Sequence, residues 1–122
     1  MRALVVDDSS TIRAILTLYL KKMDMEVIEA ADAYEALQRL KEGPFDLVLV
    51  DWNMPEMDGI DLIRQIRKVP AYDAVPVVMV TTNSESEHLG TAMDAGANEY
   101  IQKPCTLGTL REKLDFLGLL KT

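Results

Sequence analysis

Three aspartates, a threonine and a lysine stand at the ends of short apolar runs, where they can handle a phosphoryl group together. Asp7-Asp8 follows Ala3–Val6, Asp51 follows Leu47–Val50, Thr81 follows Val75–Val80, and Lys103-Pro104 comes just after Glu99–Ile101. If the runs are parallel strands of an open α/β sheet, these residues meet in the crevice beyond the carboxyl ends, where such sheets bind ligands. Each has an ordinary reading alone: Asp7 or Asp8 as a helix N-cap or turn former, Thr81 as a buried strand residue, Lys103 as a solvated charge. Jointly they are harder to dismiss, since clustered carboxylates oppose one another's ionisation unless a cation or the lysine compensates. Hard oxygen ligands with few other donors suit Mg²⁺, which keeps several waters and works through a few carboxylates plus phosphate. A carboxylate opposite an in-line phosphoryl donor is then a nucleophile. The ion, Lys103 and the Thr81 hydroxyl neutralise the oxygen charge.

The elements that must position these groups are legible in the hydrophobic pattern. The four apolar runs Ala3–Val6, Val27–Ala30, Leu47–Val50 and Val75–Val80 are short, rich in β-branched residues and not strictly alternating, which predicts strands buried on both faces. A fifth strand is expected over Glu99–Ile101. Helical spacing links Ile12, Ile15, Leu16, Tyr19 and Met23 in a first helix, and Ala36, Leu37 and Leu40 in a second that follows Asp32 and stops at Gly43-Pro44. Ile60, Leu62, Ile63 and Ile66 mark a third that ends before Pro70. A fourth is expected from the Ser84-x-x-Glu87 capping box to Gly96, weakened by Gly90 in its middle. The last starts after Thr106 and presents Leu107, Leu110, Leu114 and Leu117, with Leu120 near its end. Met23, Met79 and Met93 fall on apolar stripes and are expected in the core. Strand and helix thus alternate through one domain, residues 1–122, with no output domain expected.

Composition excludes several functions. Thirteen basic against 20 acidic side chains give a formal charge of −7, which opposes attraction to nucleic acid and to anionic lipid. The single Cys105 rules out an internal disulfide, and with His88 as the only histidine no Cys/His zinc site can form. The first residues show neither a signal peptide nor a membrane span, so a cytoplasmic location is expected.

The segments VVDDS, LVLVDWNMPEMDG, VVMVTT and YIQKP, in this order and at these intervals, resemble the receiver domains of two-component response regulators. The DWNMP segment is most similar to the CheY-like, chemotaxis-type single-domain regulators. The resemblance implies a flavodoxin-like (βα)5 fold with a five-stranded parallel sheet of order 2-1-3-4-5 and helices on both faces. It implies that Asp51 accepts a phosphoryl group from a phosphohistidine on a sensor histidine kinase. Asp8, Asp51 and the backbone carbonyl of Asn53 would bind Mg²⁺, with Asp7 assisting through water. Thr81 and Lys103 would contact the phosphoryl group, and Tyr100 would turn inward as Thr81 moves. The Lys103–Pro104 bond would be cis, and Pro55 and Gly59 would shape the loop after the acceptor, glycine permitting a backbone turn. The output would be altered affinity for a protein effector, such as the flagellar motor switch, through the fourth helix, fifth strand and fifth helix.

Two alternatives use the same residues: a phosphorelay intermediate that passes its phosphoryl group to a histidine phosphotransfer protein, and a small-molecule phosphohydrolase. The lack of a general acid or base beside Asp51 argues against the hydrolase. Thr82 stands where the family most often has a smaller residue, and Asn53 and Asn83 occupy its variable rim positions. Trp52, Met54 and Met57 read as packing residues, the methionines also as candidate partner contacts. Cys105 reads as an inert small residue and His88 as solvent-facing.

Overall fold

The computed structural model describes residues 1–82 and 89–120. Strands and helices alternate: β1 (Arg2–Val6), α1 (Ser10–Lys21), β2 (Glu26–Ala30), α2 (Ala33–Leu40), β3 (Leu47–Asp51), α3 (Gly59–Arg67), β4 (Val77–Thr81), α4 (Leu89–Ala95), β5 (Glu99–Gln102) and α5 (Leu107–Phe116). A 3-10 turn, Pro70–Tyr72, joins α3 to β4. The strands pair in parallel in the order β2-β1-β3-β4-β5, as the resemblance implies. No helix among the described residues is long and apolar enough to cross a membrane.

Because side chains alternate along a strand, every central strand feeds two cores. Leu4, Val6, Val48, Val50, Val77 and Met79 meet Ala36 and Leu40 of α2, Leu62, Ile63 and Ile66 of α3, and Ala92 and Ala95 of α4. Their neighbours Ala3, Val5, Leu47, Leu49, Val78 and Ile101 meet Leu16 and Leu20 of α1 and Leu110 and Leu114 of α5. This explains the continuous apolar runs. The edge strand β2 keeps Glu26 and Glu29 exposed.

The caps are local chemistry. Ser9, Asp32, Asp58 and Thr106 each accept a hydrogen bond from the main-chain N–H three residues on, at 3.3, 2.7, 3.0 and 3.1 Å. The N-cap reading of Asp7 or Asp8 is therefore taken by Ser9.

Four expectations need correction. Pro76 has no N–H to donate to a ladder, so β4 starts at Val77 rather than Val75. On α1 the buried pair is Leu16 and Leu20, four residues apart, and this rotation of the stripe leaves Ile15 39% exposed. Met23 lies beyond the end of α1 and is half-buried. On α4 the small Ala92 and Ala95 face the core and Met93 is 37% exposed. The capping box Ser84–Glu87, Asn83 and His88 lie outside the described residues.

Gly59 opens α3 against the end of β3, its N–H donating to the Trp52 carbonyl at 2.9 Å. A β-carbon there would lie 2.5 Å from the Asp51 carbonyl oxygen and 3.0 Å from Trp52 Cα. Close approach, not a turn, is why glycine is required. The left-handed residue of this loop is Glu56, φ 68°, directly after Pro55. Gly90 by contrast is exposed, and a β-carbon there would meet nothing within 4 Å among the described residues. Urea unfolding should therefore show opposite signs: Gly59→Ala destabilises by about 1–3 kcal/mol through overpacking against backbone, and Gly90→Ala stabilises by about 0.5–1 kcal/mol. Equal shifts would refute the close-approach account.

Candidate functional site

β3 and β4 each run one residue further than their apolar patterns, so Asp51 and Thr81 are themselves strand residues. Ladder pairing of Asp51 with Val80 and of Thr81 with Gln102 fixes both backbones. Asp7 comes one residue after β1, where its N–H donates to Ala30 at 3.2 Å. Its carboxylate Oδ1 accepts the Ser9 N–H at 2.9 Å, an aspartate turn that aims the side chain over the sheet edge.

The three carboxylates meet. One oxygen each of Asp7, Asp8 and Asp51 lies within 4.8 Å of the others, with Asp7 and Asp51 buried and Asp8 exposed. Lys103 Nζ is 2.8 Å from Asp51 Oδ1 and 3.9 Å from Asp7 Oδ2. Its chain is fixed from below, because the Lys103 N–H donates to the Thr81 carbonyl at 2.6 Å. The Lys103–Pro104 bond is cis, as expected, and so is Gly43–Pro44, which the sequence did not reveal.

Burial raises the Asp51 carboxyl to about 6; the Lys103 hydrogen bond opposes this and the charges of Asp7 and Asp8 reinforce it. Burial raises Asp7 as well, opposed first by the Ser9 hydrogen bond. One ammonium thus leaves the cluster short of positive charge. Two further polar atoms are under-satisfied: the Asp7 Oδ2 and the Thr81 hydroxyl are buried without a hydrogen-bond partner among the described residues. Oxygen donors, surplus negative charge and orphaned acceptors are what a hard divalent cation satisfies, so the residues present fit Mg²⁺.

Asn53 is exposed two residues beyond Asp51, while Trp52 and Met57 are half-buried against the core and Met54 is buried. Tyr100 is half-buried on the α4 side of β5. Thr82 is half-buried. Cys105 is half-buried, its thiol pushed up to about 11 by burial, in keeping with an inert residue. Sequence reasoning missed Arg13. From α1 its guanidinium donates to the Asp7 carbonyl at 2.6 Å and pairs with Glu29 at 3.3 Å, holding the acidic loop to β2. Six residues from Asp7 and off the apolar stripe, it left no signal in spacing.

Comparison with known proteins agrees with this geometry. The family profile for the response regulator receiver domain matches residues 3–115. The chemotaxis protein CheY-3 of Vibrio cholerae is 46% identical over 116 residues, 94% of this chain and 89% of that protein. CheY1 of Helicobacter pylori is 43% identical over 117 residues, 94% of either chain. Among solved structures, the chemotaxis response regulator CheY4 of Vibrio cholerae superposes with TM-score 0.90 at 33% identity, covering 95% of this chain and 97% of that one. A response regulator receiver domain protein of Clostridium thermocellum gives 0.86 at 31%, covering 94% and 91%. Sheet order, acidic rim and sequence identity therefore agree, and the chain belongs to the response regulator receiver family, as a receiver domain of the CheY chemotaxis type.

Proposed function

We propose that Asp51 is the phosphoryl acceptor of a Mg²⁺-dependent switch, loaded by a sensor histidine kinase and read by a protein effector. The observation that carries this reading is the buried Asp51 carboxylate, 2.8 Å from Lys103 Nζ and within 4.8 Å of Asp7 and Asp8. In the transfer, an Asp51 carboxylate oxygen forms a bond to phosphorus as the phosphorus–nitrogen bond of the donor phosphohistidine breaks, and the imidazole leaves. Lys103 balances charge on the acceptor, and the Thr81 hydroxyl donates to a phosphoryl oxygen. Asp8, Asp51 and the Asn53 carbonyl would hold Mg²⁺, with Asp7 assisting through water. Bound there, the ion supplies neutralisation of oxygen charge.

Afterwards the phosphoryl group competes for Lys103 and engages the Thr81 hydroxyl, which has no hydrogen-bond partner among the described residues. Thr81 moves toward it, the segment after β4 follows, and Tyr100 turns inward. The resulting population shift remodels the face of α4, β5 and α5, through which the effector binds; a flagellar motor switch fits the chemotaxis relatives.

Treatment with acetyl phosphate and Mg²⁺ should raise the intact mass by one phosphoryl unit in wild type and leave Asp51→Asn unlabelled. Labelling of that variant moves the acceptor elsewhere. Asp7→Asn keeps the acceptor for the Ser9 N–H but removes a buried negative charge. Without metal it should melt higher than wild type by about 1–2 kcal/mol of stability. Mg²⁺ should then stabilise wild type more than the variant. If metal-free Asp7→Asn is no more stable, the carboxylates do not strain the fold. Lys103→Arg alters the reach and shape of the cation while keeping its charge. The variant should still accept the phosphoryl group but lose most phosphorylation-dependent change in amide exchange over Glu99–Gln102; equal changes at matched occupancy would remove Lys103 from the transmission route.

A further inference from the structure

On β5 the Tyr100 ring lies under an ammonium group. Lys113 of α5 places its Nζ 5.0 Å from the ring centroid, the arrangement of a cation–π pair. The same Nζ is 3.2 Å from Glu99 Oε1, and that oxygen also accepts the Tyr100 main-chain N–H at 3.0 Å. One carboxylate oxygen thus fixes the backbone of Tyr100 and the cation that caps its ring. The Glu99 side chain is only 16% exposed and that of Lys113 30%, so solvent screens this pair less than an open surface bridge. The half-buried ring also packs on the core shared with α4.

We infer that Lys113, held by Glu99, is a latch that keeps Tyr100 in its resting position and sets the threshold for its movement. The inference rests on the reading of Tyr100 as the mobile residue of the switch. An inward turn carries the ring away from a cation held by the Glu99 side chain of its own strand, so the contact is present in one state and lost in the other. Only such differential contacts shift a two-state equilibrium. Lys113 is a positioning residue here: it touches neither the acidic cluster nor the phosphoryl acceptor. Its ordinary role, a cation in the last turn of α5 that complements the helix dipole, accounts for helix stability but not for the placement over the ring.

The test labels Tyr100 with 3-fluorotyrosine in the full chain and follows its fluorine resonance, first with Mg²⁺ alone and then through a titration with beryllofluoride as the phosphoryl mimic. Lys113→Met keeps the stem and removes the charge. It should raise the inward population of the resting protein roughly 3- to 10-fold, and by linkage lower the beryllofluoride midpoint by the same factor. Glu99→Gln should act in the same direction by roughly 2- to 5-fold, and Lys113→Arg should restore the wild-type population. A purely structural role would lower the melting temperature of Lys113→Met and leave the Tyr100 populations of all three variants at wild-type values, which overturns the latch. A wild-type resonance unmoved by saturating beryllofluoride overturns the reading of Tyr100 as a switch, and the latch with it.

Discussion

The site is organised by an electrostatic conflict: two carboxylates, Asp7 and Asp51, are buried beside each other at the end of a sheet, with Asp8 at the rim and one lysine in reach. Charged groups removed from water must be paired or coordinated. Lys103 satisfies one carboxylate at 2.8 Å and stands 3.9 Å from the other, so one ammonium is divided between two claims. The raised Asp51 and Asp7 carboxyls express the deficit. A cluster of this kind responds strongly to any added cation or phosphoryl group, because each changes which partners are satisfied. Sensitivity and local destabilisation have the same origin.

The surrounding fold keeps the conflict from relaxing. Asp51 and Thr81 are ladder residues, Gly59 seats α3 directly on the Asp51 carbonyl, Arg13 holds the Asp7 carbonyl, and the Lys103 N–H is tied to Thr81. Backbones so restrained cannot swing a carboxylate into solvent. The same restraints join Asp51 to the surface. Thr81 and Lys103 are linked through their backbones, and Lys103 follows β5 directly, so charge rearrangement at Asp51 bears on the strand that carries Tyr100. Tyr100 itself is gripped by Glu99 and Lys113, groups that take no part in the acidic cluster.

Arg67 shows how the opposite end of α3 is fastened. Its guanidinium donates to the carbonyls of Gly96 and Tyr72 and to the Asn98 side chain, each at 2.8 Å, and Asn98 in turn accepts the Val77 N–H at 2.8 Å. Gly96 adopts φ 118°, and a β-carbon there would meet the Arg67 side chain at 2.7 Å. The end of α4 and the start of β4 are therefore held to α3 by one side chain.

The sequence by itself determined the alternation of strands and helices and the identity of the acidic rim, because each is written in local terms. Apolar runs with β-branched residues make buried strands. Asp32 and Thr106, placed just before helical runs, cap them through bonds three residues long, and carboxylates after a strand lie at its carboxyl edge. Periodicity misjudged details that depend on which helix face meets the sheet. Ile15 and Met93 are exposed and Leu20 is buried, since the stripe is fixed by packing and not by composition. Only the tertiary structure decided the rest: that Gly59 serves close approach while Glu56 carries the left-handed turn, that Arg13 braces Asp7, that Gly43–Pro44 is cis, and that Lys113 caps Tyr100. These are contacts between residues distant in sequence or between elements whose relative placement is set by the core. No local pattern encodes them, because the distances that define them exist only once the sheet and its two helical layers have packed.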